Sequence, residues 1–136
     1  MKKIFLIFLF IVSFLNAKSN YELKLYETII PAIFSDYPIN VYIDDDMYLL
    51  LKDSTVFNIV QNCDSSVTLL IGKNFGTLSL ECRNKPVFST NYRSFKKNQN
   101  SFGAFYWRKG RPQIKFNTDV LRKYDLVLPD SLKRYE

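Results

Sequence analysis

Apolar residues recur at helical spacing near the start of the chain. Leu23, Tyr26, Ile30, Ile33 and Phe34 share one face, so a first helix is expected to about Ser35. Ser19 and Glu22 have the spacing of a capping box at its start. Pro31 either kinks this helix or opens a second short turn, and Tyr37-Pro38 ends it. The period then changes. Ile39 to Ile43 reads as a strand, closed by Asp44-Asp45-Asp46, which is placed to cap a helix from Met47 to Lys52. Val56 to Val60, Val67 to Ile71 and Pro86 to Thr90 read as three more strands, and residues 74–80 show no clear period. Val67 to Ile71 is nearly all apolar, which points to a sheet covered on both faces. Tyr92 to Lys97 follows as a short helix or turn. Helices alternating with short apolar strands predict a single-domain α/β layered fold with a largely parallel sheet.

The clearest pattern lies in residues 101–116, expected as an edge β-hairpin around Lys109-Gly110, a pair that suits a type I′ turn. That turn pairs Arg108 with Arg111, Tyr106 with Gln113, Phe105 with Ile114 and Gly103 with Phe116. Residues directly opposite share a face. One face then carries Phe105, Trp107, Pro112, Ile114 and Phe116 and is expected to be core. The other carries Ala104, Tyr106, Arg108, Arg111, Gln113 and Lys115 and is expected to face outward. Pro112 assigns its strand to an edge or a strand start. A helix capped by Thr118 follows through Val120, Leu121 and Tyr124, and Pro129 opens a last turn carrying Leu132.

The two ends of the chain differ in kind. Lys2-Lys3, the apolar run Ile4 to Val12 and a small residue at Ala17 form the three-part pattern of a secretion signal, residues 1–17. The run is shorter than the roughly 20 apolar residues of a spanning helix, so no integral span is expected after cleavage, an uncleaved anchor being the alternative. Residues 18–136 are then one domain, and with 47% hydrophobic residues in the chain a core can form. Cys63 and Cys82 are the only cysteines. They precede two expected parallel strands that begin at the same end of a sheet. In an oxidising compartment a disulfide is expected, two buried free thiols being the alternative.

Charge is informative by position. Acids dominate from Tyr21 to Cys82, whereas Arg83 to Thr118 contains no acid and carries Arg83, Lys85, Arg93, Lys96, Lys97, Arg108, Lys109, Arg111 and Lys115. Such asymmetry implies an oriented surface for an acidic partner, an anion or a membrane face; export argues against nucleic acid.

Catalytic chemistry has little support. The chain has no His, which removes Ser-His-Asp triads, Cys-His pairs and His-ligated zinc. Two cysteines cannot close a structural zinc site, and four scattered glycines make no phosphate loop. No enzyme activity, cofactor or metal is expected. Ser94 and Lys97 form a Ser-x-x-Lys pair without its companion motifs. Asp44, Asp45 and Asp46 stand at a strand end, where a hard cation is conceivable but helix capping is the simpler reading.

In order along the chain, Phe34 to Pro38, Cys63-Asp64-Ser65-Ser66-Val67, Val87-Phe88-Ser89-Thr90-Asn91 and Phe116-Asn117 with Leu121, Leu126 and Leu132 resemble landmarks of the YfiR-like periplasmic proteins. The chain departs from that pattern in lacking the Trp of the first landmark and the Gly-Gly before the hairpin, and in having Asn91 for Asp. The resemblance implies a periplasmic regulator docking on the periplasmic domain of an inner-membrane sensor or diguanylate cyclase, and so adjusting cyclic di-GMP signalling. The basic-aromatic face of Tyr106, Arg108, Arg111, Gln113 and Lys115 is the expected partner-binding surface. The alternative function is a small solute- or anion-binding module, which requires a concave pocket near Arg93 and the strand ends.

Overall fold

The structure is a computed structural model that describes residue 18, residues 20–75 and residues 77–136, without the side chain of Asp45. The expected secretion signal and Ser19 of the capping box lie outside the described residues. Helix α1 covers residues 20–33. It leads to β1 (Ile39–Ile43), α2 (Asp45–Leu51), β2 (Phe57–Ile59), β3 (Leu69–Gly72) and α3 (Leu80–Arg83). Then come β4 (Val87–Ser89), α4 (Tyr92–Lys97), β5 (Ser101–Arg108), β6 (Arg111–Phe116) and α5 (Thr118–Lys123), with a closing 3-10 helix over Asp130–Tyr135.

The six strands form one sheet in the order β2-β1-β3-β4-β5-β6. Every neighbouring pair is parallel except β5 and β6, which form the antiparallel edge hairpin. The chain steps from β1 to β2 in one direction, then crosses back over β1 and moves steadily the other way. Right-handed crossovers therefore send α2 to one face and α3 and α4 to the other. Packing agrees. Tyr26, Ile30 and Phe34 of the α1 region, Met47 and Leu51 of α2, and Val120 and Leu121 of α5 enclose Val41, Ile71, Phe88 and Phe105 in the main core. On the opposite face Leu70 and Val87 pack with Cys82 of α3, while Phe95 of α4 covers Ala104 and Tyr106. Both faces of β3 are buried, as an uninterrupted apolar strand requires.

The hairpin has the register set by its turn, with Arg108 opposite Arg111 and Gly103 opposite Phe116. Lys109 and Gly110 have φ of 52° and 75°, both left-handed, as a type I′ turn demands. An irregularity between Val87 and Phe88 shifts the β4–β5 pairing by one residue. It lets Phe102 join the main core beside Phe88 and Phe34 while Ala104 faces α4.

Several local expectations need correction. Pro112 is exposed, not core, because β6 is the sheet edge and the start of α1 reaches only its partner Trp107. Asn117 caps α5 in place of Thr118, its side-chain oxygen accepting from the N–H groups of Asp119 and Val120. Asp44 sits at the N-cap of α2 but makes no cap bond. Its Oδ2 instead accepts the N–H of Lys73 at 2.7 Å, tying the end of β1 to the loop after β3. Glu22 meets the Trp107 indole N–H, so its carboxylate joins α1 to the hairpin.

Candidate functional site

Arg108, Arg111 and Lys115 project to solvent from the hairpin, and Gln113 is half-buried. Tyr106 departs from the expected surface. At 8% exposure it lies under α4, its ring 5.7 Å from that of Tyr92. Burial raises its phenol pKa, with Tyr92 adding to the rise. Trp107 is half-buried against Phe105, and Lys18 Nζ stands 4.5 Å from its ring centroid. What the hairpin presents is therefore a basic edge without its aromatic member.

Arg93 lies elsewhere, in a cleft of 920 Å³ on the α3–α4 face of the sheet. The two helices cover this face incompletely, and the gap between them reaches down towards Leu70 and Val87, which stay buried, with Phe75 and the exposed Leu80 as its apolar lining. Arg93 and Lys97 stand four residues apart on α4, so they share one side of that helix. Arg83 of α3 and Lys73 of the loop after β3 also line the cleft. Lys73 is paired with Asp46 at 3.0 Å, which raises its pKa through that bond and its charge. Among the described residues Arg83, Arg93 and Lys97 have no carboxylate partner, and no acid lines the cleft. Three unneutralised cations around one concavity give a site of positive potential, focused by the low-dielectric protein around it.

The rest of the lining is rich in amides. Asn91 caps α4, its Oδ1 accepting the Ser94 N–H at 2.7 Å and leaving its amide protons free. Asn98 Oδ1 accepts the Asn100 N–H at 2.9 Å and likewise keeps its amide protons. Asn100 is buried, its amide nitrogen donating to the Arg83 carbonyl and its amide oxygen accepting from Lys123. That bond fixes Arg83 relative to the end of α4. Sequence reading singled out Arg93 alone for this role. The acid-free run from Arg83 onward held the signal for Arg83 and Lys97, but their convergence depends on α3, which has no visible period.

Ser94 also lines the cleft, but its chemistry is committed. Ser101 Oγ donates to the Gly103 carbonyl at 3.1 Å, and Ser89 Oγ lies 2.7 Å from Ser101 Oγ and 3.3 Å from Ser94 Oγ. Each hydroxyl has one proton, so Ser89 donates to Ser101 and Ser94 to Ser89. The Ser94 proton points into the sheet, and Lys97 makes no hydrogen bond to it among the described residues. The pair lacks the contact that would activate a nucleophile.

No group of three or more potential ligands is placed to hold a metal among the described residues. Cys63, in the loop between β2 and β3, and Cys82 of α3 face each other at disulfide separation, with Cα atoms 5.6 Å apart. Among the described residues no helix is long and apolar enough to cross a membrane. Set against protein-family models, curated proteins and solved structures, the chain finds no match.

Proposed function

We propose that this protein is a periplasmic binding module, not an enzyme, and that it takes an anionic ligand in the cleft between α3 and α4. The observation that carries this reading is the cleft itself: Arg83, Arg93 and Lys97 converge on it with no carboxylate in its lining among the described residues. A cation without a protein partner gains most from a bound anion, because charge-assisted hydrogen bonds are about twice as strong as neutral ones. An extracytoplasmic site is supported by the three-part leader pattern and by the cysteine pair at disulfide separation. Titrating citrate while following the melting temperature tests the reading. A ligand that binds only the folded state raises stability with concentration, so a saturable rise is expected in the native protein and none in the Arg93→Gln/Lys97→Gln double variant. An equal rise in both would remove the cleft from the account.

A second reading has one specific observation in its favour. Arg108, Arg111 and Lys115 are exposed at an edge strand, where a basic stripe suits an acidic surface on a partner. The YfiR-like landmarks of the sequence make a membrane-bound sensor or diguanylate cyclase the partner of choice. Recovery of such a partner from solubilised membranes should fall at least tenfold in Arg108→Glu/Arg111→Glu. Unchanged recovery would dispose of hairpin docking and leave the cleft untouched.

A further inference from the structure

The cleft has more in it than charge, and the extra groups bear on what the anion is. Resting on the proposed anion site, we infer that its ligand is an anionic saccharide, a sugar or short oligosaccharide carrying carboxylate or phosphate. Size comes first. At 920 Å³ the cleft is at the upper end of the roughly 300–1,000 Å³ typical of sites for organic ligands, far more than a single oxyanion fills. The cations are also spread, with Arg83 on one wall and Arg93 and Lys97 on the other. A lone phosphate or sulfate meets only part of such a site.

The neutral groups distinguish among larger anions. Asn74, Asn84 and Gln99 line the cleft with side-chain amides that make no hydrogen bond among the described residues. Asn91 and Asn98 add free amide protons, and the Ser94 oxygen keeps lone pairs on the cleft side while its proton is held by Ser89. An amide offers a donor and an acceptor side by side, and a sugar hydroxyl needs both at once. An acid-rich ligand such as an oligophosphate has acceptors only, so it leaves the amide carbonyls and the Ser94 lone pairs unmatched. Phosphate chains are ordinarily cradled by successive backbone N–H groups in Gly-rich loops, and of the chain's four glycines none of the three that the structure describes lines the cleft. The half-buried Phe75 and the exposed Leu80 give the cleft an apolar surface that suits the C–H face of a pyranose ring.

Calorimetric titration of the mature chain decides the matter, with trigalacturonate and trehalose 6-phosphate as the two anionic saccharides, maltotriose as the neutral one and citrate as the plain anion. At least one anionic saccharide should bind tenfold or more tightly than both maltotriose and citrate. The stronger of the two tells whether carboxylate or phosphate is the natural charge. Arg93→Gln/Lys97→Gln should weaken it at least tenfold, since hydrogen bonds to charged groups carry the larger share. Asn84→Ala/Gln99→Ala should weaken the saccharide severalfold and leave citrate unchanged, a split that a general loss of structure does not produce. Arg108→Gln/Arg111→Gln should change neither. Citrate binding as tightly as both anionic saccharides would overturn the saccharide inference and leave the anion site standing. Maltotriose binding as tightly would overturn the need for charge, and no binding by any of the four would overturn both.

Discussion

Glycine at position 103 shows how closely single residues are constrained in the core. A Cβ there would stand 2.8 Å from the Phe116 ring and 3.0 Å from that of Phe88. Both rings are buried among other aromatics and have no room to retreat. Gly103→Ala should therefore cost about 1–3 kcal/mol of stability, the usual penalty of overpacking, read as a lower urea midpoint with unchanged slope. Gly110→Ala meets open space and bears only the strain of a left-handed residue in the turn, so its loss should be the smaller of the two. An equal loss would mean that the aromatic packing around Gly103 is looser than described. At this scale the sequence was readable only where one neighbour decides the outcome. Alternation placed Trp107 and Tyr106 on opposite faces correctly. It could not tell that α4 covers Tyr106 or that nothing covers Pro112, because exposure depends on what another element does.

Among elements, legibility followed the strength of the local signal. The hairpin was readable because Lys109-Gly110 fixes the turn and the turn fixes every pair after it. The short strands were readable from apolar runs, and their parallel order from the alternation with helices. Helix α3 was not, being four residues long and too short to show a period. Yet α3 holds both Arg83 and Cys82, so the cysteine pairing and the cleft wall depend on the same small element. The Cys63–Cys82 loop spans a sequence separation of 19, for which the chain-entropy estimate is about 3 kcal/mol. Reduction, or Cys63→Ser/Cys82→Ser, should lower stability by that order and weaken anion binding, since the α3 wall loses its tether to the loop between β2 and β3. Thiol titration finding both cysteines free in oxidatively folded protein would contradict the bond. Unchanged anion affinity on reduction would show that the hydrogen bond from Asn100 to Arg83 holds the wall alone.

Across the whole molecule, charge and topology act together. The strand order reverses direction once, which puts α3 and α4 together on the face opposite α2, and a gap lies between them there. The chain's acid-free stretch supplies most of the residues around that gap. Of the acidic side chains, Asp44 and Asp46 reach the rim at Lys73, and Asp46 neutralises that lysine, not the three cations of the α3 and α4 walls. The charge asymmetry was visible in the sequence, but its division was not. The same stretch feeds two separate surfaces, an exposed hairpin edge at Arg108, Arg111 and Lys115 and a concavity at Arg83, Arg93 and Lys97. Distance along the chain does not distinguish them; the packing of α4 over Tyr106, between the two, does.

The most direct test of the cleft is a residue-by-residue NMR titration of the mature chain with citrate. The account predicts saturable amide shifts grouped in residues 73–75, 83–84 and 91–100, disappearing in Arg93→Gln/Lys97→Gln. Shifts centred on residues 108–115, or a response that never saturates at any backbone amide, would contradict it.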